Sequence, residues 1–263
     1  MKPSDLKLIV QEKYGKIASS SGAESGSCCG TSACCSSEGL TTFNESYTHL
    51  DGYVPEADMS LGCGVPVDYA GIRPGDRILD LGSGAGNDCF VARSMTGENG
   101  HVTGLDFTEE MLLKAEENRQ KLGYTNIEFV RGDIEEMPLA DNSYDVVLSN
   151  CVLNLVPDKQ KAFSEIMRVL KPGGHFCVSD VVVKGALSEK ARSDAELYAG
   201  CVSGASTLDE YLGFIRRTGY SDIIIHKEKM IQMPDGVLDP ADRQQGTGVY
   251  SITVSATKSP AIS

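Results

Sequence analysis

The sequence predicts an α/β fold, a mostly parallel seven-stranded sheet flanked by helices, and three observations carry that expectation. From Arg77 onward, short β-branched runs alternate with amphipathic ones, and right-handed crossovers turn such an alternation into a parallel sheet with helices on its faces. A glycine-rich turn, "DLGSGAGND", joins the first strand to the first of those helices. Finally, 263 residues that are 41% apolar suffice for a hydrophobic core without disulfides.

In chain order, apolar Leu6, Ile9, Val10 and Ile17 recur at helical spacing behind Ser4, a good N-cap, so Ser4 to Ile17 reads as a helix. Ser19 to Gly39 is rich in Ser, Gly and Cys and poor in apolar residues. Alone it buries little and is expected to be mobile until something binds it. Strands are expected at "RILDL" (Arg77 to Leu81), "HVTGLD" (His101 to Asp106), "IEFV" (Ile127 to Val130), "YDVVLSN" (Tyr144 to Asn150) and "HFCVSDVV" (His175 to Val182). Helices fall between them at Asn87 to Met95, Thr108 to Leu122 and Asp158 to Leu170, the last stopped by "KPGG". After Ser188 two further helical segments precede "DIIIHKEKMI" and "YSITVSATK", which complete the sheet. The chain thus divides into an N-terminal helix and Cys-rich segment (1–62), a nucleotide-binding α/β region (63–183) and a C-terminal, sheet-completing region (184–263), with no internal repeat.

Composition excludes several functions. The N-terminus lacks the apolar core of a secretory signal, and no run approaches the roughly 18 apolar residues of a membrane span, so a cytoplasmic protein is expected. Thiols stay reduced there, and nine cysteines read as ligands, reactive groups or core residues rather than as a disulfide scaffold. A formal net charge of -13 repels nucleic acid and anionic membranes and favours a small neutral or cationic ligand. Nothing demands more than a monomer.

The glycine turn has the context of a nucleotide site. Gly82, Gly84 and Gly86 permit a sharp turn and a close ligand approach, and Asp106, twenty residues after Gly86 at the end of the second strand, can accept both ribose hydroxyls. A dinucleotide fingerprint would place glycine where Asn87 stands. A cofactor without a pyrophosphate, such as S-adenosylmethionine, has less need of it. Asp133 ends the third strand, where it can meet an adenine amino group, and Asn150 ends the fourth. Helix caps and turns also use Asp and Asn, but four strand ends agree on one rim.

"DLGSGAGN", "GLDFTEEML", "GDIEEMP", "YDVVLSN" and "VLKPGG" resemble, in order and spacing, the motifs of class I S-adenosylmethionine methyltransferases, from about Asp76 to Asp180. The resemblance implies a Rossmann-like fold. It also implies a cofactor bed of Asp80, Gly82, Ser83, Gly84, Gly86, Asn87, Asp106, Phe107, Met111, Gly132, Asp133, Ile134 and Asn150.

The cysteines speak to the substrate. Cys151 follows Asn150 directly, where a substrate would face the cofactor's methyl. Cys63 in "SLGCGVP" and Cys201 in "AGCVSGA" have neighbouring glycines, which suggest exposed side chains. Cys89 and Cys177 lie inside regular elements and read as packing residues. Cys28, Cys29, Cys34 and Cys35 do not have the spacing of a zinc finger, and no C-x-x-C accompanies a thioredoxin-like pattern. A soft, thiophilic centre held by converging thiolates remains.

"SNCVLNLVPDK", "AGCVSGA", "LGCG" and the cysteine of "TSAC" resemble the arsenite S-adenosylmethionine methyltransferases over nearly the whole chain. The resemblance implies an arsenic site of Cys34, Cys63, Cys151 and Cys201, with Cys151 and Cys201 at its core. Cys35 is an alternative to Cys34, and Cys28 and Cys29 are accessories or merely exposed thiols. It implies as substrate arsenite or its thiol conjugates, whose trivalent arsenic takes three thiolates and directs its lone pair at the methyl, without a general base. His49, His101, His175 and His226 lack metal-ligand spacing. It further implies that Cys34 and Cys63 return arsenic to the trivalent state by forming a disulfide, which an external thiol such as thioredoxin or glutathione resets. The competing readings are a carbon or oxygen methyltransferase of quinones or sterols, which leaves the cysteines unexplained, and an arsenite-sequestering or sensing protein, against which Asp106 and Asp133 argue.

Overall fold

The structure is a computed structural model that describes residues 3–20, 45–185, 204–232 and 247–260. Its elements are α1 (Pro3–Ser20), β1 (Arg77–Leu81), α2 (Asn87–Thr96), β2 (His101–Asp106), α3 (Glu109–Leu122), β3 (Ile127–Arg131), β4 (Tyr144–Asn150), α4 (Lys159–Val169), β5 (Leu170–Lys184), α5 (Leu208–Thr218), β6 (Ser221–Ile231) and β7 (Gly248–Thr257). The strands form a seven-stranded sheet in the order β3-β2-β1-β4-β5-β7-β6. The first five are mutually parallel, and β7 runs antiparallel between β5 and β6. The Rossmann-like architecture expected from the sequence is therefore present.

Local chemistry sets the helix ends. Glu109 and Glu110 open α3, Arg119 and Lys121 close it, and Gly123 caps it in the left-handed region. The Asp158 side chain accepts from the Lys161 amide to start α4. A capping box of Thr207 and Glu210 starts α5. Of the two helical segments expected after Ser188, α5 is described, and the earlier one falls at residues outside the described set.

The fifth strand differs from its sequence expectation. It begins at Leu170, not His175, because Leu170 already pairs with Tyr144 and a register shift absorbs the "KPGG" residues. Gly173 adopts φ +81 there. The Gly173 amide donates to the Lys258 carbonyl, and the Lys258 amide donates to that of Gly174. The glycines thus build an irregular strand start, and they do not end the helix as expected: it already stops at Val169, where Leu170 turns extended.

Side-chain alternation divides the core between the two faces of the sheet. Leu79, Val147, Phe163, Phe176 and Tyr211 occupy one face, with Phe163 edge-on to Tyr211 at 5.5 Å. Ile78, Phe90, Val102, Val146 and Leu148 occupy the other. A third cluster covers the rim: Val10 of α1, Leu155, Val181, Val183, Ile231 and Val249 enclose Cys63 and Cys151. No helix among the described residues is long and apolar enough to cross a membrane.

Candidate active site

At the carboxyl end of β1 the glycine turn is held open by its backbone. Gly82, Gly84 and Gly86 have φ of +66, +52 and +95. A Cβ on Gly82 would lie 2.5 Å from Val152, so the turn and its neighbour exclude any larger residue. Asp106 at the end of β2 fixes the turn from outside: one carboxylate oxygen accepts from the Gly84 amide at 2.9 Å and the other from the Thr108 amide at 2.8 Å. A cavity opens over this turn, lined also by Asn87, Asp88, Phe107, Met111, Asn150, Cys151 and, from the N-terminal part of the chain, Val10, Tyr14, Tyr47 and Asp58. Ser83 Oγ and Asn87 Oδ1 are buried there and have no hydrogen-bond partner among the described residues. A polar ligand would supply the missing bonds.

The cavity is strongly acidic. Burial pushes the carboxyls of Asp80, Asp88 and Asp106 above their ordinary range, Asp88 to about 6, and the nearness of Asp80 and Asp88 adds to the shift of Asp80. Such a cluster is costly to ionise, and a cation relieves that cost. Tyr47 donates to Asp88 at 2.7 Å, and the Asn150 amide nitrogen donates to the Tyr47 hydroxyl at 2.7 Å and to the Gly64 carbonyl at 2.9 Å.

The same Asn150 reaches the thiols. Its side-chain oxygen accepts from the Cys63 amide at 3.0 Å, and Ser251 of β7 donates to the Cys63 carbonyl at 2.6 Å. Cys63 is thereby drawn over the ends of β4 and β7. Cys151, at the exit of β4, adopts φ +61, uncommon for a residue with a Cβ, while its amide donates to the Ser179 carbonyl at 2.7 Å. Cys63 Sγ, Cys151 Sγ and a carboxylate oxygen of Asp180 all lie within 4.8 Å of one another, and all three residues are buried. Burial pushes Asp180 up to about 7, against the pull of the Lys159 charge and the Tyr211 hydroxyl.

Residues 72–234 match the family described as "Methyltransferase domain". The chain is 38% identical to the arsenite methyltransferase of Halobacterium salinarum, over 97% of this chain and 67% of that one. It is 35% identical to that of Aquipseudomonas alcaligenes, over 93% and 70%. The chain belongs to the arsenite methyltransferase family. The crystal structure of an arsenic(III) S-adenosylmethionine methyltransferase from Chlamydomonas reinhardtii superposes with a TM-score of 0.66 at 40% identity, covering 76% of this chain and 68% of that one.

Within this arsenite methyltransferase fold, Gly82, Ser83, Gly84, Asn87, Asp106, Phe107, Met111 and Asn150 line the cavity as a cofactor bed would. Asp80 lies behind it, 2% exposed, accepting from the Cys89 thiol at 3.3 Å. Gly86 packs instead on Phe90 and Phe129. Gly132, Asp133 and Ile134 stand outside the lining, where Asp133 and Glu135 both bind Lys7 of α1.

Cys63 corrects the expectation that flanking glycines expose it: it is 0% exposed. A Cβ on Gly62 would lie 2.6 Å from Asn150, and one on Gly64 would lie 2.5 Å from Ser179. The glycines let the loop press onto the strand ends and so bury the cysteine between them. Cys89 and Cys177 are buried with their thiols pushed up, Cys177 to about 12, which suits packing residues. Cys28, Cys29, Cys34, Cys35 and Cys201 lie outside the described residues.

Several lining residues went unseen in the sequence, Asp88, Tyr47, Val10 and Tyr14 among them. Asp88 had a weak signal, an acid in the first turn of the helix after the glycine loop. Tyr47, Val10 and Tyr14 carry no motif, and only the fold brings them to the cavity.

Proposed function

We propose that the chain methylates trivalent arsenic with S-adenosylmethionine, arsenic being held by cysteine thiolates. One observation carries this reading: two buried thiols come together, Cys151 in the lining of the cavity that holds the glycine turn and Asp106, and Cys63 beside it.

S-adenosylmethionine supplies a methyl on a positively charged sulfonium. The residues present suit it: Ser83 and Asn87 offer buried polar atoms that have no partner among the described residues, and the ribose would meet Asp106. Asp88 and Asp106 line the cavity, with Asp80 behind them, and the cofactor's sulfonium and ammonium would offset their charge. Cys151 and Cys201 would hold arsenic with Cys63 as its third thiolate, leaving a lone pair that could accept the methyl the cofactor would supply. Transfer needs no proton abstraction, so catalysis is mostly orientation, consistent with the lack of a histidine in the cavity lining. Arsenic loses two electrons in the transfer. The Cys34 sulfur then bonds to that of Cys63 as the Cys63–arsenic bond breaks and leaves its electron pair on arsenic, and an external thiol, thioredoxin or glutathione, reduces the resulting disulfide.

Incubating the protein with arsenite, a thiol and methyl-labelled S-adenosylmethionine is expected to yield labelled methylarsenicals, separable by chromatography. Tight arsenite retention with no transferred label would instead indicate sequestration.

The acidic cavity adds a pH dependence. Burial pushes the Asp88 carboxyl up to about 6, so below that pH a bound cation must first displace its proton. Cofactor affinity is therefore expected to rise as pH increases from about 5 to 7 and then level off. Calorimetry across that range checks it. Asp88→Asn should flatten the profile, and an equally steep profile in that variant would exclude Asp88 as its source.

A further inference from the structure

Asp180 is a buried carboxyl that the methyl-transfer chemistry leaves unused. It does not line the cofactor cavity, yet it is 1% exposed and within 4.8 Å of both sulfurs. Sheet register puts it there: Asn150 pairs with Ser179, so Cys151 and Asp180 are the next residues out along β4 and β5. Tyr211 fixes it by donating to Oδ2 at 3.1 Å, and the Val181 amide donates to Oδ1 at 3.1 Å. Asn154 lies behind it, fully buried, and its side-chain oxygen has no hydrogen-bond partner among the described residues. A carboxylate beside two thiolates opposes their ionisation; besides the Tyr211, Val181 and Asn154 donors and the Lys159 charge that it already meets, it has acceptor capacity for one more hydrogen bond on the side of the two sulfurs.

Arsenite offers one. As(OH)3 exchanges two hydroxyls for two cysteine sulfurs, each thiol proton leaving with a hydroxide as water and no electrons moving. One As–OH then remains. Resting on the reading of Cys63 and Cys151 as arsenic ligands, we propose that Asp180 binds this residual hydroxyl by a hydrogen bond, and so makes the thiol pair selective for inorganic arsenite over methylated trivalent arsenic. Methylarsonous acid, CH3As(OH)2, spends both hydroxyls on the two thiols and keeps none for Asp180. When a third thiol enters, the held hydroxyl leaves as water with that thiol's proton.

The test compares kcat/KM for methyl transfer to arsenite and to methylarsonous acid, with a phosphine as the added reductant so that no added thiol strips arsenite of its hydroxyls. Loss of a hydrogen bond to a carboxyl is expected to lower the arsenite value of Asp180→Ala at least about tenfold relative to the methylarsonous acid value. Asp180→Asn, which keeps the shape and some bonding capacity, should fall between the two. Methylarsonous acid turnover also reports that the variant's thiol site is intact. An equal loss with both substrates in Asp180→Asn, or an unchanged ratio in both variants, would overturn the proposal. Wild-type protein that methylates neither substrate would overturn the underlying reading instead, so the two failures are distinguishable.

Discussion

Replacing Cys151 with serine is expected to reduce kcat/KM for arsenite methylation by about a hundredfold or more, because a hydroxyl is a hard, weak ligand where trivalent arsenic requires a soft thiolate. The change is nearly isosteric. Cys151 is 4% exposed, and its amide donates to the Ser179 carbonyl, a bond the substitution keeps, so the positive φ should survive. The thermal midpoint should accordingly move little, and cofactor affinity should stay within about twofold. Turnover assays with calorimetry on the same preparation check both halves. Undiminished turnover would show that arsenic is methylated elsewhere.

Asp106→Ala is expected to weaken cofactor binding about a hundredfold while leaving arsenite binding intact. Two effects combine. The carboxylate would no longer meet the ribose, and the Gly84 and Thr108 amides would each lose the acceptor they now have at 2.9 and 2.8 Å. A buried donor left without a partner costs about 1–3 kcal/mol, and part of that cost falls on the glycine turn that must close on the ligand. Since 1.4 kcal/mol is about tenfold in affinity, the two effects reach about a hundredfold without any other damage. Asp106→Asn, which retains one acceptor, should lie between. Equilibrium titration with S-adenosylmethionine measures it, and an unchanged dissociation constant would remove Asp106 from the cofactor bed.

The glycine-turn half of the candidate site was legible in the sequence because its information is local, although Gly132, Asp133 and Ile134 fall outside the cavity lining. A strand, a glycine turn, a helix and an acid at the next strand end are written in consecutive residues, and Gly82 to Asp106 sit where that pattern requires. The thiol half was legible only in part. Cys151 was recognisable from its place after Asn150, but glycines beside Cys63 suggested exposure, whereas here they bring the backbone close to Asn150 and Ser179. That use of glycine depends on what lies opposite, which local sequence does not encode. Asp180 was equally hidden inside "HFCVSDVV". Its role follows from parallel register with β4 and from the docking of the Cys63 loop, both long-range. The same holds for Tyr47 and for α1, whose amphipathic spacing announced a helix but not that Val10 would pack in the cluster around the two cysteines.

Arsenic X-ray absorption on the stoichiometric arsenite complex, recorded before and after adding S-adenosylmethionine, tests the central claim most directly. The expected result is sulfur ligation of arsenic that depends on Cys63 and Cys151, followed by the appearance of an arsenic–carbon bond once cofactor is present. Arsenic that remains bound to oxygen alone, or thiolate-bound arsenic that never gains carbon, would contradict it.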